Sequence, residues 1–280
     1  MFEESLPIRP GRRLVGSFSQ LINLVDKRAW TSERQRRTES GDNHMTLCEA
    51  MTSDPETQPL PGALVKLGVA INLRPRQRLA VAHDSSYIYL VRSGVLMLEG
   101  LPQTSSRQIL DLYYRGDIVR PAIVPALPGI NLLSATQAEV LRIANARLDS
   151  LTDTDADARR WCDCAMARQY PRRLLQLATI GTLTGEERVA SMLVEFALRM
   201  CEGAHQESRT FELPLTRTDM ADYLSLNADT LSRVMSRLRQ SGVLGTAGRA
   251  RAFVPNFSAL CALTPLADTI KSVHEAKAMA

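Results

Sequence analysis

The sequence predicts an α+β protein in three consecutive parts: a β-rich unit over 61–150, one long helix over 152–181, and a mainly helical unit over 184–280. Three observations carry this. Between Leu64 and Ile143 the chain runs in short β-prone segments broken by Pro, Gly, Asp and Ser. Cys164, Ala167, Pro171, Leu174 and Ala178 then recur at alternating spacings of three and four, the period of a helix that lays one seam on a partner. Leu213 to Leu244 reads as two short helices around a tight turn, with a hairpin behind them.

Residues 1–60 are expected to be a weakly structured extension. Thr31-Ser32-Glu33-Arg34-Gln35-Arg36-Arg37 and Met51-Thr52-Ser53-Asp54-Pro55-Glu56-Thr57 are polar and aperiodic, and only Leu14 to Val25 has a helical apolar pattern. Met45 or Met51 is a candidate natural start. In the β-rich unit the clearest strands are Tyr87 to Val91, Val95 to Leu98 and Gln108 to Tyr114, joined at Arg92-Ser93-Gly94 and at Pro102 to Ser106. Gly116-Asp117 closes the third.

The long helix is predicted to open within Thr152 to Asp157, to run toward Ile180 and to end at Gly181. Pro171 removes a backbone donor and pushes Tyr170 away from helical angles, so a kink or break is expected there, with a second segment from Pro171. Cys162 and Cys164 have two readings. On the seam, Cys164 faces its copy and can form an intersubunit disulfide under oxidation; equally, a small apolar side chain suits a close helix crossing and the thiol is plain core. Past Gly181, Thr184 and Glu187 form a capping box, and Val189, Leu193, Phe196 and Met200 mark an amphipathic core helix up to Gly203.

In the next stretch Thr216 and Asp219 pair as a second capping box, and Met220, Ala221 and Leu224 share the buried face of the helix they start. Ser225-Leu226-Asn227 makes the turn. Asn227 caps a second helix to about Gln240 that buries Leu231, Val234, Met235 and Leu238, and Gly242 stops it. Its other face therefore shows Asp229, Ser232, Arg233, Ser236, Arg237 and Gln240. Such a face suits a DNA major groove, where Arg grips guanine O6 and N7, a carboxylate accepts from cytosine N4, and Ser bonds to either kind of base. Taken singly, Asp229 also favours a helix N-terminus and Arg233 is also a solvated charge. Val243-Leu244, a turn through Thr246-Ala247-Gly248-Arg249, and Arg251-Ala252-Phe253-Val254 read as a hairpin with arginines near its tip. Asn256 caps a short helix beyond it, and Leu266, Ile270 and Val273 mark one more amphipathic segment.

At 280 residues, with 45% hydrophobic and 23% charged residues, the chain has the length and composition of two globular domains. A net charge of +4 permits a local basic surface without by itself indicating nucleic acid. No run of about 18 apolar residues predicts a membrane span, nothing resembles a signal peptide, and five cysteines without framework spacing suggest a reducing cytoplasm. No pairing of nucleophile and base suggests an enzyme.

The stretch LPLTRTDMADYLSLNADTLSRVMSRLRQSGVL resembles the winged helix-turn-helix of Crp/Fnr-type bacterial transcription regulators. Asp229-Thr230-Leu231-Ser232-Arg233 is close to the Glu-x-x-Ser-Arg recognition motif of the Fnr branch. The resemblance implies base contacts from Asp229, Ser232 and Arg233, with Asp229 one methylene shorter than the family's Glu. Arg217, Asn227, Thr230 and Arg249 match family positions that touch phosphates. GEERVASMLVEFALRM is similar to the first helix of the family's DNA-binding domain, and YIYLVRSGVLMLEG with RQILDLYYRGDIV resembles its cyclic-nucleotide-binding-like β-roll sensor. The family's long helix pairs with its copy, so Cys164, Ala167, Leu174 and Ala178 would form the seam of a homodimer on a palindromic TTGA…TCAA-like site. RNA polymerase is then a partner if the chain is an activator.

The resemblance does not extend to the usual ligands. Cyclic-nucleotide binders carry a Gly-Glu pair after the Gly-Asp turn and an Arg-Ser or Arg-Thr pair further on, whereas here the residues are Ile118-Val119-Arg120-Pro121 and Pro128-Gly129-Ile130-Asn131-Leu132-Leu133. Cyclic nucleotide is therefore not expected. An Fnr-like iron-sulfur cluster is not expected either, since Cys48 is the only cysteine before Cys162. Haem stays open, with His83 as the one histidine of the β-roll. The alternatives are a redox- or haem-gated regulator of the same architecture, and a small-molecule-binding β-barrel with a non-functional DNA domain.

Overall fold

A computed structural model of the chain describes residues 60–79, 86–100, 107–124, 129–201, 207–246 and 251–274. The extension over 1–59, including Leu14 to Val25 and Cys48, lies outside the described residues, as do His83, the turn over 102–106 and Arg249.

The β-rich unit opens with helix α1 (Gly62–Leu67) and holds eight strands: β1 (Val69–Leu73), β2 (Arg78–Leu79), β3 (Tyr87–Ser93), β4 (Leu96–Gly100), β5 (Gln108–Tyr113), β6 (Ile118–Val119), β7 (Asn131–Ser134) and β8 (Ala138–Ala144). They form two four-stranded antiparallel sheets in the orders β1-β8-β3-β6 and β2-β7-β4-β5. Gly94 joins β3 to β4 at φ +76, where an added Cβ would lie 2.2 Å from the Gln137 carbonyl oxygen, so the turn admits only glycine.

Each sheet is covered on both sides, which explains why the strands read as near-continuous apolar runs. Between the sheets lie Leu73, Tyr89, Val91, Leu96, Leu98, Tyr113, Leu132 and Val140. Alternate residues face outward: Ile88, Leu90, Leu141 and Ile143 pack on Leu64, Leu148, Ala158 and Trp161 of the helices. From the other sheet Val95, Met97, Ile109 and Leu112 pack into one core with the C-terminal part. Fully burying an aliphatic side chain contributes about 1.5–3 kcal/mol, so this shared core is what binds the β-roll to the C-terminal part.

The long helix differs from expectation in three ways. A separate helix, α2 (Asn145–Thr154), precedes it, and Asp155 breaks the two. Helix α3 then runs over Ala156–Thr182, with Asp155 Oδ1 accepting from the N–H groups of Asp157 and Ala158 at 3.0 and 2.9 Å. Gly181 therefore lies inside the helix, and the helix continues past Pro171 without a second start. The residues around Pro171 are clamped to the β-roll: Gln169 Nε2 donates to the Ile118 carbonyl at 3.0 Å, Arg172 to Asp117 at 2.5 Å and Arg173 to Asp111 at 2.7 Å. These contacts offset the single backbone bond that proline removes.

The C-terminal part holds α4 (Gly185–Arg199), β9 (Arg209–Glu212), α5 (Arg217–Leu224), α6 (Ala228–Gln240), β10 (Gly245–Thr246), β11 (Arg251–Val254), α7 (Phe257–Cys261) and α8 (Ala267–His274). Both capping boxes form. The wing has a third strand beyond the predicted hairpin, since β11 pairs with β9 as well as with β10. No helix among the described residues is long and apolar enough to cross a membrane.

Candidate nucleic-acid interface

The two helices that would carry the interface are set by local chemistry. Thr216 Oγ1 accepts from the Asp219 N–H at 3.2 Å while Asp219 Oδ2 accepts from the Thr216 N–H at 3.3 Å, closing the first turn of α5. Ser225 ends that helix in the left-handed region at φ 52, which turns the chain sharply into α6. Asn227 Oδ1 then accepts from the Thr230 N–H at 2.7 Å. At the far end Gly242 takes φ +74 directly after the last turn of α6.

This geometry leaves α6 strongly two-sided. Leu231, Val234, Met235 and Leu238 are buried, as predicted from their spacing. Asp229, Ser232 and Arg233 are exposed on the opposite side, and neither Asp229 nor Arg233 forms an ion pair among the described residues. One turn further on, Arg237 pairs with Glu186 of α4 at 3.2 Å. The face therefore offers a carboxylate, a hydroxyl and a free guanidinium within two turns, all with hydrogen-bonding capacity to spare.

The residues expected at phosphates are placed unequally. Arg217 is exposed at the first position of α5, and partial desolvation and then the nearby Arg239 guanidinium hold it below its ordinary pKa. Asn227 is exposed but commits its Oδ1 to the cap. Thr230 is half-buried. On the wing, Arg251 is exposed opposite Glu212 in the strand register.

The residues expected at a seam along α3 differ in exposure. Cys164 is only 1% exposed and is covered within its own chain, where burial first of all raises its pKa, so its thiol is not presented to a second copy. Ala167 and Ala178 are half-buried, and Leu174 is exposed. The exposed apolar stripe is made by Leu174 together with Tyr170 and Leu177, at 64% and 67% exposure.

Sequence reasoning also missed the contacts that join α5 and α6, the reading head of the resemblance, to the β-roll. Arg107, just before β5, donates to Glu99 at 2.6 Å, to Asp219 at 2.5 Å and to Asp222 at 3.2 Å. Arg76 adds two bonds to Asp219 at 2.9 and 3.0 Å. Burial acts to raise the Asp219 pKa, but hydrogen bonds from Thr216, Arg107 and Arg76 outweigh it and hold the carboxyl below its ordinary value. Deeper in, Glu195 of α4 accepts from the Tyr114 hydroxyl at 2.6 Å and from the Tyr223 hydroxyl at 3.2 Å, with burial raising its pKa. No periodicity pairs Arg107 with Asp219, and at capping-box spacing from Thr216 the Asp reads in the sequence as a cap alone.

The sequence profile of the Crp-like helix-turn-helix domain matches residues 187–263, which takes in most of α4 and all of α5, α6 and the wing. A probable transcriptional activator of Rhizobium leguminosarum bv. viciae is 28% identical over 183 residues, covering 65% of this chain and 75% of that protein. The transcriptional activator protein FnrL of Cereibacter sphaeroides is 40% identical over 84 residues, 29% of this chain and 34% of its own length. Among solved structures, FixK2 from Bradyrhizobium japonicum superposes with a TM-score of 0.60 at 23% identity, covering 70% of this chain and 97% of that one.

Proposed function

We propose that the chain is a DNA-binding transcription regulator of the Crp/Fnr type that acts in the cytoplasm as a homodimer on a palindromic TTGA…TCAA-like site, a reading supported by the Crp-like helix-turn-helix match over 187–263 and the similarity to transcriptional activators. The observation that carries this reading is that Asp229, Ser232 and Arg233, exposed and without an ion pair among the described residues, lie on one side of a helix whose other side is buried. Arg233 takes guanine, Ser232 the adjacent base or a thymine methyl, and Asp229 a cytosine amine. Arg217, Asn227, Thr230 and Arg249 set the register on phosphates. The stripe of Tyr170, Leu174 and Leu177, flanked by Ala167 and Ala178, supports pairing of two α3 helices, which would present two heads to half-sites about one helical turn apart. If the chain activates transcription, RNA polymerase is its further partner.

The regulator works without cyclic nucleotide on this reading. In support, Asp117 of the Gly-Asp turn is committed to the Arg172 guanidinium and the Tyr114 N–H, and Leu132 and Leu133 of β7 are core. Calorimetry showing micromolar binding of a cyclic mononucleotide would overturn this. For DNA, fluorescence anisotropy of the full chain on a palindromic and a scrambled duplex is decisive, with light scattering to give the mass bound. Equal affinity for the two duplexes sinks the sequence-specific reading.

A further inference from the structure

We propose that the β1–β2 turn of the β-roll is a second DNA-contacting surface, in which Arg74 and Arg78 grip backbone phosphates flanking the site read by α6. The inference rests on the DNA-binding function above and extends it to a part of the chain outside the reading head.

Between Leu73 and Leu79 the chain reads Arg74-Pro75-Arg76-Gln77-Arg78, three arginines with no acid among them. The turn has a defined shape. Arg76 sits at φ 69, a left-handed conformation that is unfavourable for a non-glycine residue and persists only where its surroundings impose it. Here they do: the Arg76 N–H donates to the Ser134 carbonyl at 2.8 Å, the Ser134 hydroxyl donates to the Arg74 carbonyl, and the Arg74 N–H donates to Gln77 Oε1 at 3.0 Å.

The strained residue is also the one that reaches the head. Arg76 Nη1 lies 2.9 and 3.0 Å from the two oxygens of Asp219, the third residue of α5, two positions after Arg217. The turn is thus pinned beside the start of the first helix of the helix-turn-helix, the helix that crosses the DNA backbone when the second enters the groove. Arg76 and Arg107 neutralise Asp219 and Asp222, two carboxylates that would otherwise repel phosphates at that point. Arg74 and Arg78, on either side of Arg76, are exposed and form no ion pair among the described residues. Two free guanidiniums held next to the phosphate-contacting end of a reading head extend that surface, and each neutralised phosphate releases counterions. The partner is DNA because Arg76, between the two free arginines, is bonded to Asp219, two positions after Arg217.

The test uses the full chain and two duplexes, one no longer than the palindromic site and one extended by about 10 base pairs on each side. The variant R74A/R78A spares Arg76 and so leaves the junction with Asp219 in place. It is expected to bind the long duplex about tenfold more weakly at low salt, with the log–log salt slope flatter by about two units per protomer, and to match wild type on the short duplex. R74K/R78K keeps the charges and restores both values, while thermal melting checks that each variant is folded. Wild-type affinity and slope for R74A/R78A on the long duplex overturn the flanking contact alone. Failure of the wild type to discriminate the palindrome from a scrambled duplex overturns the proposed site, and this inference with it.

Discussion

Arg107 of the β-roll and Asp219 of the reading head, 112 residues apart in sequence, meet at 2.5 Å between Nη2 and Oδ1. The same guanidinium also serves Glu99 and Asp222, so one side chain satisfies three carboxylates across the boundary between the two parts. Arg107 is 19% exposed and Asp219 3%, which makes their pairing far less screened than a surface ion pair.

Removing Arg107 strands carboxylates that are almost wholly buried. Arg107→Ala is expected to destabilise the full chain by about 2–3 kcal/mol, below the roughly 3–5 kcal/mol for breaking a fully buried pair because part of the guanidinium reaches water. Arg76, half exposed, contributes less, and Arg76→Ala should cost under about 1 kcal/mol. Urea denaturation of both variants checks the order, and equal losses would contradict it.

The junction also predicts a pH dependence. Asp219 is held below its ordinary pKa, so its contribution is fully present above the unfolded value of about 3.9 and is lost as pH falls through the lower folded value. Asp219→Asn should therefore be less stable than wild type at pH 7, and the gap should shrink as pH drops below about 4. A gap independent of pH between 7 and 3 would argue that the carboxylate charge is immaterial.

Arg233→Ala should cost about 1–3 kcal/mol per half-site and relax discrimination at the guanine. Anisotropy titrations on cognate and substituted half-sites measure it. Equal losses on specific and random DNA would reassign Arg233 to the phosphates.

Asn227→Ala removes the cap of α6 and should lower stability by about 1 kcal/mol, whereas Asn227→Asp, which retains an acceptor, should be nearly neutral. Thermal melts compare the two. Similar melting of both variants would mean that the Thr230 N–H finds another partner.

On α3, Leu177→Glu places a charge in the most exposed apolar position of the stripe and should shift a dimer toward monomer in sedimentation. Cys164→Ser should leave the mass unchanged, since that thiol is covered within its own chain. The reverse pattern would restore the original seam.

Much of the fold was legible where contacts are local. The capping boxes at Thr184 and Thr216, the Asn227 cap and the Gly242 stop all form, because each depends on residues within one turn of a helix. The buried face of α6 followed from period alone. Legibility failed along α3 for a physical reason. Its apolar positions follow two interleaved spacings, and only the β-roll decides that Cys164 faces inward while Tyr170, Leu174 and Leu177 stay exposed. Pro171 was expected to break the helix, yet Gln169, Arg172 and Arg173 anchor it on both sides to groups that the sequence does not place nearby.

The sequence by itself determined the order of parts, the two helices of the reading head and the exposed trio Asp229, Ser232 and Arg233. These rest on periodicity and on caps spanning a few residues. Only the tertiary structure decided that Arg76 and Arg107 close on Asp219, and that Tyr114 and Tyr223 meet on Glu195. Pairings across such separations exist only once burial has brought the sheet of β4 and β5 against the head, and nothing in the spacing of the residues encodes which acid each donor reaches.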